Sequence, residues 1–338
     1  MAPQFLKASD FIIKTFSFNF SDSRNLEKPL HICYGIDQNF LFGCGISITT
    51  ILINNTESNF VFNIFIDEIS DAQLIKIRDL AECYHSCIDV YIINCDRLQS
   101  FPTTKNWSIA TYFRFIIGDY FIGREDRIIY MDADIMCKGS IRELLSLDLN
   151  NKAAAVVPER DSEWWKKRAN SLDCNTLENG YFNAGFMLLN ISMWAQENVS
   201  AKALAILSDS NMVKKLSYLD QDILNIILAG KVEFLNIKYN TQFSLNYELK
   251  NNVVNPINDD TIFIHYVGPT KPWHAWAEYP SAQVFTVAKE KSPWKNSKLM
   301  QPINANYARY CAKHYFKQGR VIGGIKAYLR YFYLKLAR

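Results

Sequence analysis

Arg127-Ile128-Ile129-Tyr130-Met131-Asp132-Ala133-Asp134 is the stretch on which the reading of this chain turns. Its first five residues form a short apolar strand pattern that runs without a linker into two carboxylates spaced i, i+2. In extended backbone such positions point the same way, so Asp132 and Asp134 can aim both carboxylates at one point. Hard oxygen ligands suit Mg2+ or Mn2+. Alone, the triplet describes an acidic turn equally well. Its place at the end of an apolar strand favours a cation, because like charges side by side are costly there unless neutralised.

Outward from that strand, apolar runs at 30–36, 60–66 and 88–93 alternate with helical spacing at 41–53 and 71–84. Such alternation predicts a mainly parallel sheet with right-handed crossovers, a nucleotide-binding α/β architecture of the Rossmann kind. Ligands of these sheets sit at the carboxyl ends of strands, where the acidic pair stands. Further along, the pattern predicts helices at 107–121, 200–208 and 220–229, and strands at 153–157, 181–189 and 261–265. After Trp276 the alternation stops. Three regions are expected: an extension 1–28 with little periodicity and a polar linker at 21–25, a catalytic body 29–276, and a helical basic region 277–338.

Apolar residues make up 49% of the 338, enough for a large core and too many for a disordered chain. No apolar run approaches the roughly 18 residues of a membrane span, and no secretory leader pattern opens the chain, so a cytoplasmic location is expected. The eight cysteines are scattered and contain no C-x-x-C pair, and they read as small hydrophobes in a reducing compartment. Cys83, His85 and Cys87 match no standard zinc spacing. The net charge of +3 conceals eight Lys/Arg and no acid within 301–338, which leaves the first 300 residues at −5.

His265 closes an apolar run and precedes Tyr266-Val267-Gly268-Pro269-Thr270-Lys271-Pro272-Trp273-His274. A single histidine at a strand end is most often a satisfied core residue. A glycine that lets backbone approach oxygens and a lysine that offers a point charge would nonetheless suit a phosphate site.

In chain order, Tyr34-Gly35-Ile36-Asp37-Gln38-Asn39-Phe40, Arg114, the Asp132/Asp134 pair, Tyr181-Phe182-Asn183-Ala184-Gly185, Asp220-Gln221-Asp222 and the segment 265–274 resemble glycosyltransferase family 8. These are retaining UDP-hexose transferases of the GT-A fold, and the likeness spans about residues 30–275. Thr104-Lys105-Asn106-Trp107-Ser108, Asn240-Thr241-Gln242-Phe243-Ser244-Leu245-Asn246-Tyr247 and Asn306-Tyr307-Ala308-Arg309-Tyr310 are similar to the lipopolysaccharide-core subgroup. The resemblance implies that Gly35, Ile36, Asp37, Asn39 and Phe40 line the uridine and ribose pocket. It implies a metal shell of Asp132, Asp134 and His265, with Ala133 among the donor-binding residues. Gly268 and Lys271 would hold the diphosphate, and Arg114, Asn183, Ala184, Asp220 and Gln221 would surround the hexose, Asp220 and Gln221 as the catalytic pair. It further implies transfer of galactose, or alternatively glucose, from the UDP-hexose to a glucose of the lipopolysaccharide core through an α-1,3 linkage.

The tail alternates aromatics with positive charge in Tyr328-Leu329-Arg330-Tyr331-Phe332-Tyr333-Leu334-Lys335-Leu336, as in a helix lying on an anionic membrane surface. The expected location is therefore peripheral, on the cytoplasmic face of the inner membrane. No nucleic-acid motif accompanies these charges. Two rivals have different signatures. A metal phosphohydrolase would need a further Asp/His cluster for a two-metal site, and a catalytically silent sugar-nucleotide-binding protein would bind without turnover.

Overall fold

The computed structural model describes residues 8–21, 28–104 and 108–336. Lys105, Asn106 and Trp107, which carry part of one subgroup motif and the expected helix start, lie outside the described residues, as do 22–25 of the expected linker.

Strands β1 (Ile12–Asn19), β2 (Leu30–Ile36), β3 (Phe60–Ile66), β4 (Cys87–Ile93) and β5 (Arg127–Met131) occupy one half of a large sheet. Two helices cross between them, α1 (Leu41–Asn54) and α2 (Asp71–Cys83), and α3 (Phe113–Tyr120) precedes β5. After β6 (Ile135–Cys137) and α4 (Arg142–Leu145) come β7 (Ala154–Pro158), α5 (Ser162–Leu172) and β8 (Phe182–Asn190). Then follow α6 (Ile191–Gln196), α7 (Val199–Ser208), α8 (Ser210–Val213), α9 (Leu219–Leu228), β9 (Val232–Phe234), β10 (Thr241–Gln242) and β11 (Phe263–His265). The chain ends with α10 (Gln283–Glu290), α11 (Ala305–Lys317) and α12 (Val321–Leu336).

The large sheet has the order β1-β4-β3-β2-β5-β8-β7-β9, and a small one has the order β10-β11-β6. The central β4-β3-β2-β5 pairings are parallel, as the alternation predicts, while β8 runs antiparallel to both β5 and β7. One apolar cluster packs α1 and α10 against one face of the sheet, and a second packs α3, α7 and α9 against the other. Strands buried on both faces read as continuous apolar runs, which is why β2, β3 and β5 match their expected limits.

Two expectations need correction. The folded body does not begin near Pro29: β1 pairs antiparallel with β4 at the edge of the sheet, with Phe16 and Phe18 packed on the core. Its outer face is largely exposed, so the alternation is mixed with polar residues. The helix expected over 107–121 is a 3-10 turn at Ile109–Tyr112 followed by α3.

Candidate active site

The small sheet assembles the site. Strand β6 starts directly after Asp134 and pairs antiparallel with β11 so that His265 stands opposite Ile135, and the Tyr266 amide donates to the Asp134 carbonyl at 3.0 Å. On the other side the Asp132 amide donates to the Gly185 carbonyl at 2.8 Å, extending the β5–β8 ladder. The strand end and the imidazole are therefore fixed by backbone, not by side-chain chance.

Asp132, Asp134 and His265 each offer a ligand atom within 4.8 Å of the others, the single such group among the described residues. Asp134 Oδ1 is buried and makes no hydrogen bond, although His265 Nε2 lies 3.2 Å away. A buried orphan oxygen is rare unless a ligand satisfies it. His265 Nδ1 lies 3.0 Å from the Asn240 side-chain oxygen, which can only accept; Nδ1 thus carries the proton, and the Nε2 lone pair faces the carboxylates. At Gly185 a Cβ would come within 2.5 Å of His265 Cε1 and 2.8 Å of Asp132 Oδ2, so the cluster requires that glycine. Two carboxylates, one oriented imidazole and an unpaired oxygen fit a divalent cation.

Burial by itself would raise the Asp134 carboxyl, but the Lys271 ammonium holds it well below the usual carboxylate range. Lys271 bonds Asp134 Oδ2 and donates to the Tyr266 carbonyl at 2.8 Å. Gly268 takes φ +88°, the left-handed region, and a Cβ there would meet Ser244 Oγ at 2.9 Å.

Asp220 lies beside the same cluster through Arg114. The guanidinium is buried; it contacts Asp220 Oδ2 at 2.8 Å, Asp132 Oδ1 at 3.2 Å and the Ala184 carbonyl at 2.8 Å. Burial pushes the Asp220 carboxyl up to about 6, which Arg114 and the Thr111 hydroxyl only partly offset. Leu219, which opens α9, adopts φ +42°, a backbone that costs a leucine about 1–3 kcal/mol. Gln221 Oε1 accepts from the Ala184 amide at 3.1 Å, which pins this half-buried amide to β8.

The uridine-side residues divide. Asp37 caps the turn after β2, accepting from the Asn39 amide at 2.9 Å and the Ser108 hydroxyl at 2.8 Å. Phe40 packs edge-on against Trp273, and Gly35 leaves room for the Phe113 Cβ, which a side chain would meet at 2.9 Å. The Ile36 side chain lies in the core, so only its backbone can face a ligand. Asn183 likewise is a buried scaffold: it donates to Glu159 at 2.8 Å and accepts from the Asn240 amide and the Gly185 N–H.

Sequence reasoning missed Gly185, Asn240, Glu159 and Tyr130 as site residues. Gly185 and Asn240 stand inside the family-like motifs, and Tyr130, whose hydroxyl donates to Asp132 Oδ1 at 3.0 Å, stands two residues before Asp132 on the same strand face, whereas nothing local marks Glu159.

A parallel-centred sheet with an acid–imidazole cluster at its strand ends puts a ligand site where open α/β folds bind their substrates. The Glycosyl transferase family 8 profile matches residues 31–277, and the Glycosyl transferase family 8 C-terminal profile matches 279–335. The chain belongs to glycosyltransferase family 8 and is a glycosyltransferase. It is 49% identical to the lipopolysaccharide 1,3-galactosyltransferase of Salmonella typhimurium, over 97% of each chain. It is also 48% identical to the lipopolysaccharide glucosyltransferase WaaO of Escherichia coli K12, over 99% of each. The crystal structure of galactosyltransferase LgtC in complex with donor and acceptor sugar analogs superposes with a TM-score of 0.65 at 22% identity, covering 78% of this chain and 96% of that one. This last likeness supports the GT-A fold.

Proposed function

We propose that the chain transfers a hexose from a UDP-hexose to a lipopolysaccharide-core sugar with retention at the anomeric carbon, forming an α-1,3 linkage. The observation that carries this reading is the convergence of Asp132, Asp134 and His265 within 4.8 Å, with Lys271 on Asp134. These three would hold Mn2+ or Mg2+, which when bound stabilises the negative charge of departing UDP. Lys271 adds a second positive charge, and Gly268 admits backbone to the diphosphate oxygens. Gly35, Asp37, Asn39, Phe40 and the Ile36 backbone take the uridine and ribose.

Arg114, Ala184, Asp220 and Gln221 face the hexose, with Asn183 supporting them from below. The bond between the anomeric carbon and the phosphate oxygen breaks while the acceptor hydroxyl oxygen bonds that carbon on the same face. Its proton passes to the departing phosphate. A covalent sugar–enzyme adduct is disfavoured, because Gln221 is an amide and Asp220 is committed to Arg114 and Thr111. Galactose is the first donor and glucose the alternative, since the relatives at 49% and 48% identity carry those two names. Paired assays with UDP-galactose and UDP-glucose, Mn2+ and truncated core acceptor test this. Acceptor-dependent UDP release with an α-1,3 product is expected; phosphate release without acceptor, or tight UDP binding without turnover, would overturn it.

The site is delivered to its lipid-linked acceptor by α12. None of the described helices is long and apolar enough to cross a membrane. On α12, Gly324 and Ala327 face α11, whereas Ile322, Ile325, Leu329, Phe332 and Leu336 are 50–86% exposed. Small residues inward and large apolar ones outward invert the pattern of a solvated helix. With Lys326, Arg330 and Lys335 interleaved, that face suits the anionic cytoplasmic surface of the inner membrane, a peripheral location. The surface role falls to α12 and not to α11, which is buried against Trp276 and Asn246 of the body. Leu329→Glu with Phe332→Glu should release the enzyme from phosphatidylglycerol vesicles while sparing turnover of soluble acceptor; retained vesicle binding would refute the docking role.

A further inference from the structure

His314 sits on α11, far along the chain from the carboxylate cluster, and is fully buried. Its Nε2 lies 2.9 Å from Asn246 Oδ1, which also accepts the Thr270 hydroxyl at 2.7 Å, and the Tyr279 hydroxyl lies 2.7 Å from Nδ1. A carboxamide oxygen only accepts, so Nε2 carries the proton and Nδ1 accepts from Tyr279. Burial, reinforced by Lys313, lowers this imidazole to about 4, which matches the neutral ring that the arrangement needs.

Thr270 is itself fully buried and immediately precedes Lys271. On the far side of Lys271, His274 Nδ1 accepts the Lys271 amide at 3.1 Å, and its ring packs 4.3 Å from Trp276 and 5.1 Å from Tyr307 of α11. Helix α11 therefore grips the segment around Lys271 from both ends. Between Gly268 and Pro272 no strand ladder holds the backbone. Side-chain tethers do that instead, and a tether that leaves a buried partner unpaired when cut is felt strongly.

We propose that His314 is a positioning residue for donor binding: through Asn246 and Thr270 it fixes the backbone from which Lys271 reaches the diphosphate. Donor affinity is thus set partly by α11, outside the α/β body. This rests on the reading of Lys271 as a diphosphate ligand.

The test uses the full-length chain, titrated calorimetrically with UDP and Mn2+, alongside donor KM and kcat. His314→Ala should weaken UDP affinity about tenfold and raise donor KM far more than it lowers kcat. His314→Gln, whose amide can still donate to Asn246, should recover most of the loss. Tyr279→Phe, a milder cut at a half-exposed residue, should weaken UDP about threefold and decides the matter if His314→Ala does not fold. Lys271→Ala is the control. If it weakens UDP binding while His314→Ala and Tyr279→Phe bind like the native chain, the His314 link is wrong and the Lys271 reading stands. If Lys271→Ala binds UDP normally, the diphosphate reading falls and takes this inference with it. Equal kcat losses in His314→Ala and His314→Gln, with KM unchanged, would also overturn it.

Discussion

The chain contains two acidic triplets of the same form, Asp132-Ala133-Asp134 and Asp220-Gln221-Asp222, and the fold uses them in opposite ways. The first leaves a strand end, where alternate residues point together, and its carboxylates converge with His265. The second opens helix α9, where residues two apart diverge by about 200°. Asp220 turns to Arg114, and Asp222 turns to Arg168, which approaches its Oδ1 at 2.8 Å. Asp222 also accepts from the Tyr181 hydroxyl at 2.6 Å and the Tyr218 amide at 2.7 Å. One triplet therefore keeps an oxygen unpaired, while the other is divided and saturated. A D-x-D pattern carries metal chemistry only when the backbone period lets both acids face one point.

The sharpest way to break this contrast is Asp134→Asn, which keeps shape and removes charge. Turnover of UDP-hexose should fall by about three orders of magnitude or more, since the leaving-group charge loses its metal shell. The variant should stay folded but melt at a lower temperature, because the buried Lys271 loses its charged partner. A variant with native turnover would mean that the first triplet is only an acidic turn.

Asp222→Ala should do the reverse. Removing one partner of a buried pair leaves Arg168 uncompensated and costs about 3–5 kcal/mol of stability by urea unfolding. Manganese affinity of the folded fraction should stay native. A tenfold loss of that affinity would show that Asp222, and not Asp220 alone, supports the metal cluster.

Acidity separates them further. Asp220 is raised from 3.8 to about 6 by burial, so the folded state binds a proton that the unfolded state has already released. Its contribution is therefore fully present below pH 3.8 and is lost as pH rises through 6, about 3 kcal/mol in all. Unfolding free energies of Asp220→Asn between pH 4 and 7.5 should lack that downward slope. Asp134 lies well below the usual carboxylate range and stays ionised throughout, so Asp134→Asn should leave the slope in place. If both variants share the native slope, the proton sits elsewhere.

The two triplets also differ in how far sequence could carry them. Apolar strands β2, β3 and β5 were legible because burial on both faces leaves no polar interruption. The first triplet was legible as a strand-end pair, though His265 needed the family likeness, since its partner strand β6 is only three residues long. Edge strand β1 was lost because Thr15 and Ser17 stand on its exposed face and Lys14 lies beside Phe16 on the other, so no apolar run stands out. The saturation of Asp222 was invisible because Arg168 lies 54 residues away with no periodic link. His314 and Asn246, 68 residues apart, were hidden for the same reason. Polar pairs of long separation leave no local signature; they follow from how elements are stacked.

The finest test concerns what keeps the first triplet's imidazole pointed correctly. Asn240 fixes the His265 tautomer at 3.0 Å and is itself held by Asn183, which Glu159 holds in turn. This chain touches no expected hexose group other than Asn183, so it should act on the metal rather than on the sugar. Asn240→Ala frees the ring to rotate or to protonate at Nε2, and manganese affinity should fall about tenfold. Asn240→Asp offers a carboxylate to the same Nδ1–H and should recover or exceed native affinity. If Asn240→Ala binds manganese like the native chain while losing sugar turnover, Asn240 and Asn183 belong to the hexose pocket. The support of the first triplet's imidazole would then serve the sugar and not the metal.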